Sequence, residues 1–497
     1  MHRATPQWFI SMESHKLRKK ALDSIDQTAF YPEKGKARIR AMIETRPDWC
    51  ISRQRSWGVP LPIFVNKKTN EPLRDSEVVD NIAKIYEKEG SDCWFYDDPQ
   101  KFFGKKYKKE DYIKSNDIVE VWFDSGSTHS FVLEKRKDLK WPASMYLEGS
   151  DQHRGWFHSS LLESCGTRGR APFDSILSHG FVVDGEGMKM SKSSGNIISP
   201  EEILKKYGAD ILRLWVASSD YTEDLRIDHS ILEQHAESYR KIRNTFRFIL
   251  GNLKDNFSPK DFKKIKHQDF PELERLILQK LFVLNSEIKD NLKNYNFHKL
   301  QKDLLNFCAL DLSSFYFDIR KDVLYCDDLS SKKRKSCVDL LNVILECLIK
   351  WYAPVLSFTT EEITELAQKG KKTSIHEENF PEIPNNWKNE SLSKKWEKLL
   401  HVRQKVNIGI EEKRSSKIIG SSLEADVEIA LPKAEFDILQ QIDAKELFIT
   451  SNVIQNISKE NEISITVKKA KGTKCSRCWK IVEKVKDNKC SRCLKIK

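Results

Sequence analysis

Four cysteines near the end of the sequence are spaced as two C-x-x-C pairs. Cys475 and Cys478 form the first pair, and Cys490 and Cys493 form the second. Two such turns bring four thiolates together, and four thiolates satisfy the tetrahedral geometry that Zn²⁺ prefers. A redox pair or free thiols are the alternative, but this spacing favours a metal. We therefore expect one structural zinc ion, with no coordination position left open for catalysis, and basic flanks able to contact phosphates.

A second segment combines glycines, lysines and serines. It runs from Asp184 to Asn196 and places three glycines around Lys189 and Lys192. Glycine lets a backbone approach phosphates closely, and two lysines can neutralise charge that develops on a triphosphate during transfer. By composition alone, a solvated surface loop is an equally good interpretation.

The elements around this loop alternate between strands and helices. Short apolar runs predict strands over Met145–Leu147 and Ser175–Val183. Helical stretches are predicted over Ser159–Ser164 and over Pro200–Ser218, the latter with Ser199 as its N-cap. Alternation of this kind is typical of an α/β fold with a parallel sheet.

The rest of the chain changes from helical to mixed patterning. Two apolar helix faces recur at spacings of three and four, at Tyr239, Ile242, Phe246, Ile249 and Leu253, and at Val338, Leu341, Leu345 and Leu348. They predict a helix bundle. Three later segments, Ala425–Leu431, Leu447–Ile454 and Ile463–Val467, are predicted strands of a small α+β unit.

Composition limits the classes of protein to consider. Lys and Arg number 85 against 73 Asp and Glu, a net charge of +12, which favours a polyanionic partner such as RNA or simply indicates solvated basic faces. The first twenty residues have no apolar signal-peptide core, and the most apolar stretch, Val343–Phe358, is interrupted by charges. Eleven cysteines without a signal peptide are typical of a reducing compartment. We expect a cytoplasmic protein without a membrane span.

Four sequence blocks, taken together and in order, resemble a known family. They are Trp49–Pro60, Val121–Ser127, Glu148–Phe157 and the loop Lys189-Met190-Ser191-Lys192-Ser193. The last spells KMSKS, the ATP-binding loop of class I aminoacyl-tRNA synthetases, and the set is similar to the isoleucyl family within the isoleucyl, valyl, leucyl and methionyl subgroup. The resemblance covers the whole chain, including the four-cysteine tail.

The resemblance implies roles for the matched polar residues. Lys189 and Lys192 would stabilise the triphosphate of ATP, accompanied by Mg²⁺, in the transition state of amino-acid activation. His179 would border the adenosine. The aminoacyl-adenylate site would be lined by Glu148, Gly149, Asp151 and Gln152. Outside this context, His179 is as well explained as a hydrogen-bonded core histidine and Glu148 as a surface charge.

The resemblance also implies an amino-acid pocket and an RNA surface. Trp122 and Trp156 would form flat apolar walls for isoleucine, although either could be an ordinary core aromatic. Arg240, Arg243 and Arg247 share one helix face and could follow the phosphate backbone of tRNA(Ile), or belong to a solvated face.

Two family elements have no counterpart in the sequence. No two of the twelve histidines have the spacing of the family's His-x-Gly-His turn, and only the exit of the editing insert, Arg3–Phe9, is present. We expect the C-terminal half of a monomeric isoleucine-specific ligase that lacks editing and is inactive alone. A valyl-specific fragment and a non-catalytic tRNA-binding protein are the alternatives.

The predicted fold is multidomain, α/β plus all-α. It has the editing exit and connective part (1–140), the second half of a Rossmann-type catalytic domain with the KMSKS loop (141–230), a helical anticodon-binding bundle (231–400), a small α+β junction domain (401–470) and a zinc-binding tail (471–497).

Overall fold

The computed structural model describes residues 5–253, 257–258, 261–368 and 373–496. Arg3 and Ala4, the first two residues of the predicted editing exit, lie outside this range. The chain divides into two compact units, of which the first contains 1–183 and 221–225 and the second contains 184–220 and 226–497. Among the described residues, no helix is both long enough and apolar enough to cross a membrane.

The first unit contains seven α-helices and nine strands among its described residues. The helices are α1 (Leu17–Gln27), α2 (Lys34–Glu44), α3 (Ser76–Glu89), α4 (Cys93–Tyr96), α5 (Gln100–Phe103), α6 (Val121–Gly126) and α7 (Trp156–Thr167). The strands are β1 (Phe9–Ile10), β2 (Ala29–Tyr31), β3 (Trp49–Cys50), β4 (Ser52–Arg53), β5 (Phe64–Asn66), β6 (Tyr112–Lys114), β7 (Ile118–Val119), β8 (Tyr146–Gly149) and β9 (Ser175–His179). Two further strands, β10 (Val182–Asp184) and β11 (Leu225–Ile227), cross the boundary between the units.

A three-stranded parallel sheet forms the centre of the first unit. Its strand order is β2-β9-β8, so the predicted parallel α/β pattern is confirmed. The central strand buries the adjacent residues Ile176 and Leu177, and Ile176 lies with Phe157 and Leu161 of α7 in one hydrophobic cluster. Successive residues of a strand point to opposite faces, so burial of both residues shows that the sheet is covered on both sides. Helix α7 contains the predicted Ser159–Ser164 segment.

The predicted strand Ser175–Val183 is interrupted in the structure. Strand β9 ends at His179, and β10 begins at Val182. Gly180 lies between them and donates its N–H to the Tyr221 carbonyl at 2.9 Å. A Cβ there would also collide with the backbone of Glu223. The break follows from a contact with a distant segment, which local sequence does not reveal.

The second unit is mainly helical. Its helices are α8 (Pro200–Tyr207), α9 (Ala209–Ser218), α10 (His229–Leu253), α11 (Glu272–Lys293), α12 (Phe297–Asn306), α13 (Asp318–Cys326), α14 (Lys332–Tyr352), α15 (Ser357–Ala367), α16 (Glu390–Ser415), α17 (Lys433–Leu439), α18 (Ala444–Phe448) and α19 (Ser491–Leu494). A π-helix, Phe307–Phe317, joins α12 to α13. The strands are β12 (Ala425–Leu431), β13 (Asn452–Ile457), β14 (Ser464–Lys469), β15 (Thr473–Lys474) and β16 (Ile481–Val482).

The predicted helix over Pro200–Ser218 is two helices. The Ser199 side chain accepts the N–H of Glu202 and caps α8, as predicted. Gly208 separates α8 from α9 with a φ of 86°, a left-handed value that glycine adopts without strain.

The predicted helix bundle is confirmed. The stripe on α10 is buried at Ile242, Phe246, Ile249 and Leu253, and α14 buries Leu341, Leu345 and Leu348 in the same core. This core also holds a charged group, because Arg320 is 3% exposed and donates two hydrogen bonds, of 2.6 and 2.8 Å, to the fully buried Glu274. Arg320 also forms a 2.8 Å ion pair with Glu446 of α18.

In the small α+β region, one of the predicted strands is partly wrong. Strand β12 pairs in parallel with β13 and antiparallel with β14, close to two of the predicted strands. The predicted strand Leu447–Ile454 is wrong at its start, because α18 occupies that position. Asp443 caps α18 by accepting the N–H groups of Lys445 and Glu446, and Ile449 ends it in a left-handed conformation. Capping outweighs the strand preference of this apolar run, so β13 begins only at Asn452.

Candidate active site and metal centre

Several predicted site residues meet at the carboxyl ends of β8 and β9. Gly149 is the parallel partner of His179, and Asp151 follows within the next turn. The Nδ1 of His179 donates to the Gly180 carbonyl at 2.8 Å, which fixes the orientation of the ring. Glu148 and Asp151 are exposed. The carboxyl ends of parallel strands are where α/β folds place their ligands.

Both polar atoms of the Gln152 side chain form hydrogen bonds within the protein. Its Oε1 accepts the N–H of Trp156 at 2.9 Å, at the first turn of α7, and its Nε2 donates to Asp151 at 2.9 Å. Gln152 therefore caps α7 and orients the Asp151 carboxylate. A Cβ at Gly155 would lie 2.8 Å from the Trp122 ring, so only glycine fits there.

The two predicted pocket tryptophans lie on adjoining elements of the first unit. Trp156 opens α7 and stacks on Tyr146, with ring centroids 4.0 Å apart and planes within 3°. Trp122 lies on α6 against Gly155 and is 39% exposed. Stacking on Tyr146 thus fixes the Trp156 ring, whereas the Trp122 ring is partly open to solvent.

Two backbone carbonyls at the end of α6 accept hydrogen bonds from side chains, including two side chains of α7. Trp156 Nε1 donates to the Ser125 carbonyl at 3.0 Å. The Gly126 carbonyl accepts from Ser160 Oγ at 3.0 Å and from His129 Nδ1 at 2.9 Å. Burial lowers the pKa of His129, which keeps the ring neutral. These bonds fix the helix that carries Trp122 relative to the helix that carries Trp156.

Glu120 connects two of the sequence blocks that carry the family resemblance. It precedes α6 directly, is 8% exposed and accepts from Trp49 Nε1 and Arg53 Nη2, each at 3.0 Å. Strands β4 and β7 pair beside it. Sequence reasoning assigned roles to none of Glu120, Ser125, Gly126, His129 and Ser160. These residue types are common in any sequence, and only their proximity in the folded structure identifies them as parts of the candidate site.

The Lys189 loop is organised by a carboxylate and an amide within the second unit. Asp184 Oδ1 accepts the N–H groups of Glu186 and Met188, at 3.1 and 2.7 Å. Asn196 donates to Asp184 Oδ2 at 2.8 Å, and its Oδ1 accepts the Ser191 N–H at 3.0 Å. These hydrogen bonds hold the pKa of Asp184 below its usual value. Sequence reasoning assigned no role to Asp184 or Asn196, although an Asp and an Asn that border a glycine-rich turn are a signal for side chains that hydrogen-bond to the loop backbone.

Both loop lysines remain available to a ligand. Lys189 and Lys192 are exposed, and in the described part of the chain no carboxylate lies within ion-pair distance of either. The loop thus carries two unneutralised ammonium groups on a backbone held by its own side chains. Such an arrangement can bind a polyphosphate.

The three arginines of α10 differ in their availability. Arg243 donates to Glu362 at 3.0 and 3.3 Å and to the Tyr239 hydroxyl at 3.1 Å. Arg240 pairs with Glu237 of the same helix. Arg247 is exposed, without a carboxylate partner among the described residues. Of the three, Arg247 is therefore the most open to an RNA phosphate.

The four cysteines converge in the second unit. Their sulfurs all lie within 4.8 Å of one another, and the sulfurs of Cys478 and Cys490 are 3.8 Å apart. Tetrahedral Zn–S bonds of ~2.3 Å separate sulfurs by ~3.8 Å, so the cluster is compatible with zinc. Burial opposes ionisation of Cys475, but the N–H groups of Cys478, Cys490 and Arg477 lower its pKa to about 6. Burial raises the pKa of Cys478 and Cys493, so a metal ion would have to displace their protons on binding.

Two family models match the chain. The model of tRNA synthetases class I (I, L, M and V) matches residues 1–228, and that of the anticodon-binding domain of tRNA ligase matches residues 274–429. These matches agree with the parallel sheet, the lysine loop and the helix bundle. The chain belongs to the class I aminoacyl-tRNA synthetases.

Within this class the chain is similar to isoleucine–tRNA ligases. It is 66% identical over 481 residues to that of Pelagibacter ubique, covering 97% of this chain and 53% of that protein. It is 45% identical over 497 residues to that of Mesorhizobium japonicum, covering 96% of this chain and 49% of that protein. The chain spans about half the length of the curated relatives it matches.

Two solved structures share the fold. Mycobacterium tuberculosis methionyl-tRNA synthetase in complex with methionyl-adenylate has a TM-score of 0.52 at 15% identity, covering 75% of this chain and 69% of that chain. The ternary complex of Agrobacterium radiobacter LeuRS, tRNA and LeuAMS has a TM-score of 0.50 at 17% identity, covering 84% and 51%. At these identities the likeness concerns the fold alone.

Proposed function

We propose that this chain supplies the KMSKS part of the active site and the tRNA-binding body of an isoleucine–tRNA ligase. The observation that carries the proposal is the 66% identity with the Pelagibacter ligase over 481 residues, which is 97% of this chain. The monomeric cytoplasmic enzyme would activate isoleucine with ATP and transfer it to tRNA(Ile).

The proposed chemistry begins with the isoleucine carboxylate. It would attack the α-phosphate of ATP, so that an acyl–phosphate bond forms while the bond between the α- and β-phosphates breaks and pyrophosphate leaves. Mg²⁺, if bound to the phosphates, would help to neutralise their charge. Lys189 and Lys192 neutralise the charge on the departing phosphates, which their exposure and lack of carboxylate partners support. Glu148 and His179 border the adenylate, and Trp122 and Trp156 contact the aliphatic side chain.

The tail is proposed to hold one structural zinc ion through Cys475, Cys478, Cys490 and Cys493. The sulfur spacing and the Cys490 N–H, which donates to Cys475 Sγ at 3.3 Å, support this assignment. Four thiolates leave no position for substrate, so the metal would stabilise the fold of the tail without taking part in the reaction.

Isoleucine-dependent exchange of pyrophosphate into ATP tests the proposal. We expect none from this chain alone, because the sequence contains no His-x-Gly-His turn. Co-expression with the part of the Pelagibacter ligase that has no counterpart here should restore exchange with isoleucine in preference to valine.

Two variants identify the contribution of this chain. Lys192→Ala should abolish the restored exchange, whereas Lys459→Ala, which removes another exposed lysine, should leave it unchanged. Robust exchange by the chain alone would overturn the half-site interpretation. Preference for valine would indicate the valyl alternative, and tRNA binding without any restored exchange would favour a non-catalytic tRNA-binding protein.

A further inference from the structure

A cavity of about 370 Å³ opens within the first unit, between α7 and the end of α6, and we call it the α6–α7 cavity. This volume lies near the lower end of the range for small-molecule sites, ~300–1,000 Å³. Neither Trp122 nor Trp156 lines it, so it is separate from the predicted amino-acid pocket. Its walls are mostly apolar and include Ile10, Leu17, Trp49, Phe123 and Leu162.

The first polar group of interest in the lining is the His129 imidazole. His129 is 1% exposed, and its Nε2 has no hydrogen-bond partner among the described residues. Its Nδ1 donates to the Gly126 carbonyl at 2.9 Å, and burial lowers the pKa of the ring. A neutral imidazole has a single N–H, so Nε2 is a buried acceptor to which no described residue donates.

The second polar group is the Glu163 carboxyl group. Glu163 also lines the cavity, is 9% exposed, and its Oε1 has no partner in the described part of the chain. Burial raises the pKa of this carboxyl to about 9, so near pH 7 it holds a proton. A protonated carboxyl can donate as well as accept. The cavity therefore combines apolar walls with one acceptor and one potential donor.

The charges in the lining favour a neutral ligand. Arg168 donates to both carboxylate oxygens of Glu134, at 2.8 and 2.9 Å, and to the Ser130 hydroxyl at 3.0 Å. An anion would therefore find this cation already paired. A cation would have to lose its hydration among apolar walls, close to the Arg168 guanidinium, which is unfavourable.

We propose that the α6–α7 cavity is a binding site for a small neutral compound with an apolar body and one hydroxyl group. A hydroxyl group offers a donor for His129 Nε2 and an acceptor for the Glu163 carboxyl. A hydrocarbon of the same shape would leave both groups unpaired, which is costly in a buried site. The ligand would contact α6 through Phe123 and α7 through Leu162, and its binding does not depend on the proposed ligase function.

Two probes of the same shape test the proposal with the full 497-residue chain. One is 2-naphthol, and the other is 2-methylnaphthalene, in which a methyl group replaces the hydroxyl. We expect ligand-detected NMR to show about tenfold tighter binding of 2-naphthol, because only its hydroxyl pairs the buried polar groups. Binding of 2-naphthol should also protect the α7 amides against hydrogen exchange.

Variants of Glu163 show whether the hydroxyl group is recognised in this cavity. Glu163→Met removes the polar group at similar length and should reduce the preference for 2-naphthol to threefold or less. Glu163→Gln keeps a donor and an acceptor and should retain the preference. Glu87→Met makes the same change as the first variant at an exposed position on α3 and should alter neither affinity.

The outcomes that overturn the proposal do not require the variants to fold. Equal affinity of the wild-type chain for the two probes, or failure to bind either, excludes recognition of a hydroxyl group. Binding of 2-naphthol without protection of the α7 amides places it outside this cavity. Tighter binding of 2-naphthylmethylammonium than of 2-naphthol overturns the assignment of a neutral ligand.

Discussion

Glu163 is a buried carboxyl group whose ionisation we expect to oppose folding of the first unit. It lies on α7, is 9% exposed, and its Oε1 has no hydrogen-bond partner among the described residues. Burial, reinforced by the neighbouring carboxyl group of Asp124 and only partly opposed by Arg168, raises the pKa of Glu163 to about 9. The change to test is Glu163→Gln, which keeps the shape of the side chain and removes its titration.

The size and sign of the effect follow from proton linkage. In the unfolded chain the pKa of Glu163 has its ordinary value of 4.5. Between pH 4.5 and about 9, the folded unit therefore holds a proton that the unfolded chain has released. The contribution of Glu163 to stability is therefore greatest below pH 4.5 and decreases by ~1.4 kcal/mol per pH unit as the pH rises through this window. At pH 7 the accumulated loss is at most about 3.4 kcal/mol, and Glu163→Gln should recover much of it.

Hydrogen exchange of the α7 amides, followed by mass spectrometry, measures this effect within its own unit. Comparing variant with wild type at each pH cancels the intrinsic pH dependence of exchange. We expect the variant to gain little protection at pH 5 and about 2 kcal/mol or more at pH 8. Glu87→Gln makes the same change on the exposed face of α3 and should have no effect at either pH. A difference for Glu163→Gln that does not grow with pH would refute the reasoning.

Two further predictions concern the second unit. Arg320→Met should lower the free energy of urea unfolding, followed by circular dichroism, by about 3–5 kcal/mol, because it leaves the Glu274 carboxylate buried and unpaired. The double variant with Glu274→Leu should recover much of this loss, and a single variant as stable as wild type would contradict the prediction. Cys490→Ser should reduce zinc from one ion per chain to nearly none in elemental analysis, whereas Cys50→Ser, outside the cluster, should retain it. Undiminished zinc in Cys490→Ser would exclude the proposed tail site.

Sequence predicted the elements that depend on local chemistry. Ser199 and Pro200 marked the start of α8, and the spacing of Ile242, Phe246 and Ile249 marked the buried face of α10. The start of β13 was missed because Asp443 caps a short helix within an apolar run. The end of β9 was missed because Gly180 contacts the Tyr221–Leu225 segment, which is distant in sequence.

The candidate site also contains some features that the sequence predicted and others that it did not. The C-x-x-C spacing was sufficient to predict the convergence of the four sulfurs. Spacing could not predict that Gln152 caps α7, or that the Gly126 carbonyl receives hydrogen bonds from both Ser160 and His129. Those contacts join residues of common type through tertiary structure, and they leave no pattern in the sequence. The roles of Glu148 and His179 came from the resemblance and remain predictions.

The ion triad of buried Arg320 and Glu274 with the partly exposed Glu446 has a consequence for how the second unit unfolds. Glu274 belongs to α11, Arg320 to α13 and Glu446 to α18, so one guanidinium joins the bundle to the small α+β region. Separating the two regions would leave the Arg320–Glu274 pair intact within the bundle and would remove only the second carboxylate, that of Glu446, from Arg320. Because Arg320 is 3% exposed, loss of that carboxylate should lower the stability of the bundle, so we expect the α+β region to protect the bundle against unfolding.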